Sequence, residues 1–209
     1  MKNKKNLLEQ LKGLPYFSKD SLCQLGRQLG LADATVDTYI SRFLKHKEIF
    51  QLKKGLYVSA DFFSNKRGDI SYSFYLANIT RRPSYVSSWS ALQFYDLTTE
   101  VIHGVISVTP KVTRSYKTKA GSFIYQSIKR ELFSGFSLIQ GSTEGLDFFI
   151  ASPAKALFDL LYFRTRQFRG VRWKDVKALV EEMRIDIDKM AKNERTKFYT
   201  RIKKYLNHE

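Results

Sequence analysis

A chain of 209 residues is long enough for one large or two small domains, each able to bury its own core. Hydrophobic content of 43% and aromatic content of 14% exclude a disordered chain, and one cysteine excludes a disulfide framework or a cysteine-rich zinc site. Lys and Arg number 36 against 20 Asp and Glu, a net charge of +16. The excess is spread along the chain: 11 basic against 5 acidic residues over 1–60, 13 against 8 over 61–166, and 12 against 7 over 167–209. Such a field favours a polyanionic partner, most often nucleic acid.

Met1 to Lys5 are basic, but no apolar run follows to make a signal peptide, and no stretch approaches the ~20 apolar residues that span a bilayer. A cytoplasmic protein with no membrane partner is expected. Asn6 to Leu14 reads as a short helix with Leu7, Leu8 and Leu11 on one side, ended by Gly13 and Pro15. Phe17-Ser18 opens a second helix with Ser18 as N-cap and Leu22, Leu25 and Leu29 on its core face. Cys23, among these leucines, reads as a small buried hydrophobe. Gly30 stops this helix and permits a tight turn.

The helix within Ala32 to Ile49 carries Val36, Ile40, Phe43 and Leu44 as an apolar stripe. Its opposite face carries Thr35, Asp37, Thr38, Ser41, Arg42 and Lys45, short and polar side chains suited to base edges and phosphates in a major groove. Phe50 to Val58 follows as two β-rich runs joined by Lys53-Lys54-Gly55, a hairpin. Three helices and a hairpin within 60 residues predict a winged helix-turn-helix over residues 1–62. Thr35, Thr38, Ser41 and Arg42 are expected to face the groove of double-stranded DNA, while Lys45, Lys53 and Lys54 hold phosphates. Asp37 runs against this, since phosphate repels it; it can accept from a cytosine amino group, or cap or pair locally with Arg42 or Lys45. Units of this kind also serve as protein-interaction domains.

The polar stretch Asp61 to Asp69 marks a boundary, with a second domain over 68–209. Tyr72 to Thr80 reads as a helix ended before Pro83, and Tyr85 to Leu97 as a brief strand leading into a helix capped by Ser87 or Ser88. Val101 to Thr109, Ser122 to Ile128, Phe136 to Gln140 and Asp147 to Ala151 read as strands with glycine turn points between them. Ser152-Pro153 starts a helix, the serine as cap and the proline at the first helical position, with Leu157, Leu160 and Leu161 as its apolar face. Trp173 to Met183 and Asn193 to Leu206 are amphipathic helices within a helical segment over about 153–206. In the last, Phe198, Ile202, Tyr205 and Leu206 form the buried stripe, while Arg195, Lys197, Arg201, Lys203 and Lys204 face out. The fold class expected is α+β: a winged helix, then a mixed domain with a small, mostly antiparallel sheet and C-terminal helices.

Signs of catalysis are missing. His46, His103 and His208 share no metal-ligand spacing with one another or with Cys23. No glycine-rich loop with a following lysine would cradle a phosphate. Gly141-Ser142 with Asp147 lacks the paired aspartates of a nucleotidyltransferase opening, and Asp175-Val176-Lys177 lacks the partner acid of a nuclease. No enzyme, cofactor or metal is expected.

Several segments nevertheless resemble a known family. Tyr85-Val86-Ser87-Ser88-Trp89-Ser90-Ala91-Leu92, Ile106 to Thr109 with Gly121 to Tyr125, Glu131 to Phe136, and Ala151 to Tyr162 resemble, in order, the second domain of AbiEi-family antitoxins. Lys54-Gly55-Leu56-Tyr57-Val58 is similar to the end of that family's opening winged helix. The likeness runs from about Leu7 to Tyr162; Ala154 stands where many relatives carry an acid, and Asp96 where many carry a glycine. The resemblance implies a bacterial type IV antitoxin that represses its own promoter by binding inverted repeats. It also implies that the second domain counters a nucleotidyltransferase toxin without a stable complex, in abortive-infection defence against phage. The rival expectation is a winged-helix regulator with a ligand-sensing or dimerising second domain and no toxin partner. A DNA-acting nuclease ranks last, for want of a clustered acid pair.

Overall fold

The structure, a computed structural model, describes residues 2–206; His208 lies outside the described residues. The chain is an α+β protein with a three-stranded and a six-stranded sheet. Its first helix, α1 (Lys2–Leu11), starts earlier than its leucines suggested and stops before Gly13. Phe17 and Ser18 then form a strand, β1, and not the opening of a helix. Ser18 still caps α2 (Lys19–Gln28), accepting from the Ser21 N–H at 3.0 Å. Gly30, at φ +71°, reverses the chain into α3 (Asp33–Lys45). The two helices touch at Gly26, where an added Cβ would collide with the Val36 side chain. This close approach needs glycine.

The hairpin β2 (Ile49–Lys53) and β3 (Leu56–Ser59) turns on Lys54 and Gly55, the latter at φ +77°. Sheet order is β1-β3-β2, antiparallel throughout. The expected polar boundary is occupied by a short helix, α4 (Ala60–Asn65), capped by the Ser59 hydroxyl.

The larger sheet is built after α5 (Ile70–Thr80), whose N-cap Asp69 accepts from the Ser71 and Tyr72 N–H groups. A brief strand, β4 (Tyr85–Val86), leads into α6 (Ser88–Phe94), and then come β5 (Val105–Thr109), β6 (Arg114–Thr118) and β7 (Gly121–Ser127). Residues 101–104 lie outside any strand, so β5 is shorter than its β-rich run. After a 3-10 turn at Arg130–Leu132, β8 (Phe136–Ile139) and β9 (Phe148–Ala151) complete an order of β6-β7-β5-β4-β9-β8. Pairs β4–β9 and β5–β7 are parallel and the other three antiparallel, so the sheet is mixed. Strand β6 was not expected: Arg-Ser-Tyr-Lys-Thr has no apolar alternation, because it is an edge strand with little buried surface.

Three helices close the structure: α7 (Pro153–Arg164), α8 (Trp173–Glu182) and α9 (Lys192–Lys203). The Ser152 hydroxyl caps α7 and Pro153 occupies its first turn. No helix is long and apolar enough to cross a membrane among the described residues.

Buried side chains form two clusters. The smaller holds Leu7, Leu11, Phe17, Leu22, Val36, Ile40 and Phe43; the larger spans the six-stranded sheet and the later helices. Leu52, Leu56 and Val58 of the small sheet belong to the larger cluster, whereas Ile49 and Tyr57 of the same strands belong to the smaller. The hairpin is thus a wall shared by both cores. Tyr72 ties them further, donating its hydroxyl to the Pro15 carbonyl at 2.7 Å.

Candidate nucleic-acid interface

Helix α3 is anchored by Val36, Ile40 and Phe43, all buried at spacings of four and three, which leaves the opposite side in solvent. That side presents Asp37, Thr38, Ser41, Arg42 and Lys45 as exposed residues, with Thr35 half-buried at the start. Leu44, expected in the apolar stripe, is only partly buried against the cluster. The Arg42, Lys45 and Lys54 side chains make no hydrogen bond or ion pair among the described residues. Arg42 and Lys45 sit in the last turn of α3, where positive charge complements the helix dipole.

Two hydroxyls on this face are already committed as donors. Thr38 Oγ1 donates to the Ala34 carbonyl and Ser41 Oγ to the Asp37 carbonyl, each at 3.0 Å. Each oxygen keeps acceptor capacity, so on a base edge it suits an amino group of adenine or cytosine better than a carbonyl.

Asp37 finds neither Arg42 nor Lys45. Lys19, at the start of α2, donates its ammonium to the Asp37 carboxylate at 2.8 Å. That hydrogen bond raises the Lys19 pKa, burial opposing it only partly. Lys19 also donates its backbone N–H to the Gly55 carbonyl at 2.9 Å, so one residue joins α2, α3 and the hairpin tip. Eighteen residues separate Lys19 from Asp37, which is why helix spacing alone pointed to a local partner.

The two hairpin lysines part company. Lys54 is exposed at the turn, whereas the Lys53 ammonium reaches away to the Thr80 carbonyl at the end of α5, at 2.6 Å. The cause is a register shift between Gln51 and Lys53, which buries both Ile49 and Leu52 and re-aims the residue that follows. Beside β2 runs the edge strand β6 with its connections, where Lys111, Arg114, Lys117 and Lys119 are exposed. The Lys119 ammonium lies 6.0 Å from the Phe50 ring centre. Four basic residues within nine were the signal available in the sequence.

A second polar cluster went unread there. Asp159 on α7 is fully buried, and its carboxylate accepts from Lys155 Nζ at 2.5 Å, Ser87 Oγ at 2.7 Å and the Tyr85 hydroxyl at 3.0 Å. Ser87 thus stands at the N-cap position of α6 but sends its hydroxyl to Asp159 instead of the helix. Burial pushes the Asp159 carboxyl up and the Lys155 ammonium down, and their mutual attraction opposes both shifts. Tyr85 is pushed up as well, by burial and then by the neighbouring carboxylate. Among the described residues no three His, Cys, Asp or Glu side chains gather as metal ligands do. No known family model matches the chain, and no curated protein matches it in sequence.

Proposed function

We propose that residues 1–62 form a winged helix-turn-helix that binds double-stranded DNA, and that the chain is an autorepressor and antitoxin of the AbiEi type. On this reading it binds inverted repeats in its own promoter. Its second domain counters a nucleotidyltransferase toxin without forming a stable complex.

The observation that carries the DNA half is the solvent-facing side of α3. Arg42 and Lys45 stand there without side-chain partners among the described residues, and the two exposed carboxylates of the helix are both paired, Asp37 with Lys19 and Asp33 with Arg27. A neutralised acid removes the main electrostatic objection to a groove-facing helix. The antitoxin half rests on the ordered likeness of residues 85–162 to the family's second domain.

Fluorescence anisotropy on the upstream DNA and on a scrambled fragment, at two salt concentrations, tests the first half. Arg42→Ala should lose about 1–3 kcal/mol on the upstream fragment and relax choice at one base. Lys54→Ala should weaken both fragments alike and flatten the salt dependence by about one unit of slope. Equal binding of both fragments by the wild-type chain would reduce the interaction to net charge and refute operator recognition. For the second half, co-expression with the adjacent gene should restore growth when that gene encodes a toxic nucleotidyltransferase.

A further inference from the structure

We propose that the cleft between β8, the start of α7 and α9 binds a phosphorylated small molecule of nucleotide size, independently of any DNA contact. The cavity measures about 690 Å³, within the size range of small-molecule sites. Its walls differ in character. Helix α9 contributes Arg201 and Lys204, and Leu132, Phe136 and Tyr205 supply apolar and aromatic surface.

The charges decide which ligand fits. Lys155 and Lys197 also line the cleft, but each has its carboxylate: Lys155 has Asp159, and Lys197 holds Glu194 at 2.7 Å. Glu194 is occupied a second time by the Ala154 N–H at 3.1 Å. Arg201 has no such partner. The residue is half-buried, and its guanidinium lies 5.6 Å from the Phe158 ring centre and makes no hydrogen bond or ion pair among the described residues. The Lys204 ammonium likewise makes no hydrogen bond or ion pair among the described residues. Against these two cations the cleft offers, among the described residues, one exposed acid at its rim, Glu131.

A guanidinium on a half-buried residue lining a cleft, with its donors unused, is matched by an oxyanion, and its planar fork suits phosphate. Gly135 leaves room for this. At φ +78°, a Cβ there would come within 3.0 Å of Arg201 Nη2. The aromatic side of the cleft suits a flat apolar body attached to the anionic head, which is the build of a nucleotide.

Isothermal titration of the full chain with ATP, inorganic phosphate and adenosine, at physiological salt, tests the assignment. ATP should bind, phosphate should compete with it more weakly, and adenosine alone should bind far more weakly. Arg201→Gln should weaken ATP about tenfold or more, the loss of one charge-assisted contact. Lys204→Gln should weaken it severalfold, and Lys174→Gln, an equal charge change on α8 outside the cleft, should leave it unchanged. Should Arg201→Gln misfold by circular dichroism, the exposed Lys204 carries the test. No heat up to millimolar ATP, equal losses in all three variants, or adenosine binding as tightly as ATP would each overturn the proposal.

Discussion

Asp159 is buried beyond the reach of water, yet its carboxylate has three donors, one each from Tyr85, Ser87 and Lys155. Burial of an ion pair is costly, and the attraction offsets that cost only where every polar atom finds a partner. The consequences of breaking it are therefore unequal. Asp159→Asn should strand the Lys155 ammonium and lower stability by about 3–5 kcal/mol in urea denaturation. The double replacement Lys155→Met with Asp159→Leu should recover most of that loss, because no charge is then left in the core. A single-variant loss below about 1 kcal/mol would mean that Lys155 is not charged in the folded chain. Lys19 and Asp37 make the contrasting case: both are about half exposed, so their pair does little for stability and acts by removing negative charge from the face of α3.

Between elements, the joint of α7 and α9 depends on Glu194. Burial alone would raise its pKa, but hydrogen bonds from Lys197, Ser152 and the Ala154 N–H hold it below the usual carboxylate range. A depressed folded-state pKa stabilises the fold above the unfolded value of about 4.3, and that contribution is lost as pH falls through the folded value. Glu194→Gln should therefore cost about 1 kcal/mol at pH 7, and the gap between variant and wild type should narrow in thermal melts as pH falls below the unfolded value and through the folded one. A constant gap across that range would assign the loss to packing. Helix α9 also departs from the face expected of it. Arg195 and Arg201 are half-buried, Arg195 holding Asp188 at 3.0 Å, while Lys197, Lys203 and Lys204 lie in solvent.

At the scale of the whole molecule, the small sheet cannot be separated from the large one without exposing Leu52, Leu56 and Val58. Lys53 with the Thr80 carbonyl and Tyr72 with the Pro15 carbonyl reinforce the seam. Each fully buried side chain of this size is worth about 1.5–3 kcal/mol, enough to couple the two cores. The chain should therefore unfold in one step. Both tryptophans, Trp89 and Trp173, lie in the later part, so their fluorescence reports the larger core. Far-UV ellipticity reports every helix, and its melting curve should coincide with the fluorescence curve. An earlier step in ellipticity would show residues 1–66 melting independently.

Apart from α4, which the polar stretch Asp61 to Asp69 concealed, the helices were legible in the sequence because amphipathic spacing and end signals are local properties. Ser18 and Ser152 cap where their hydroxyls predicted, and Val36, Ile40 and Phe43 bury the stripe that turns Thr38, Ser41, Arg42 and Lys45 outward. Net charge is equally local, since it needs only a count. Tertiary structure alone decided the rest. It brought Lys19 to Asp37, turned Lys53 toward Thr80 through a register shift, and made a polar segment into the edge strand β6. It also converged Tyr85 and Ser87 on Asp159 from more than seventy residues away. Such pairings depend on which surfaces the folded chain brings within hydrogen-bond reach, and no spacing along the backbone encodes that distance.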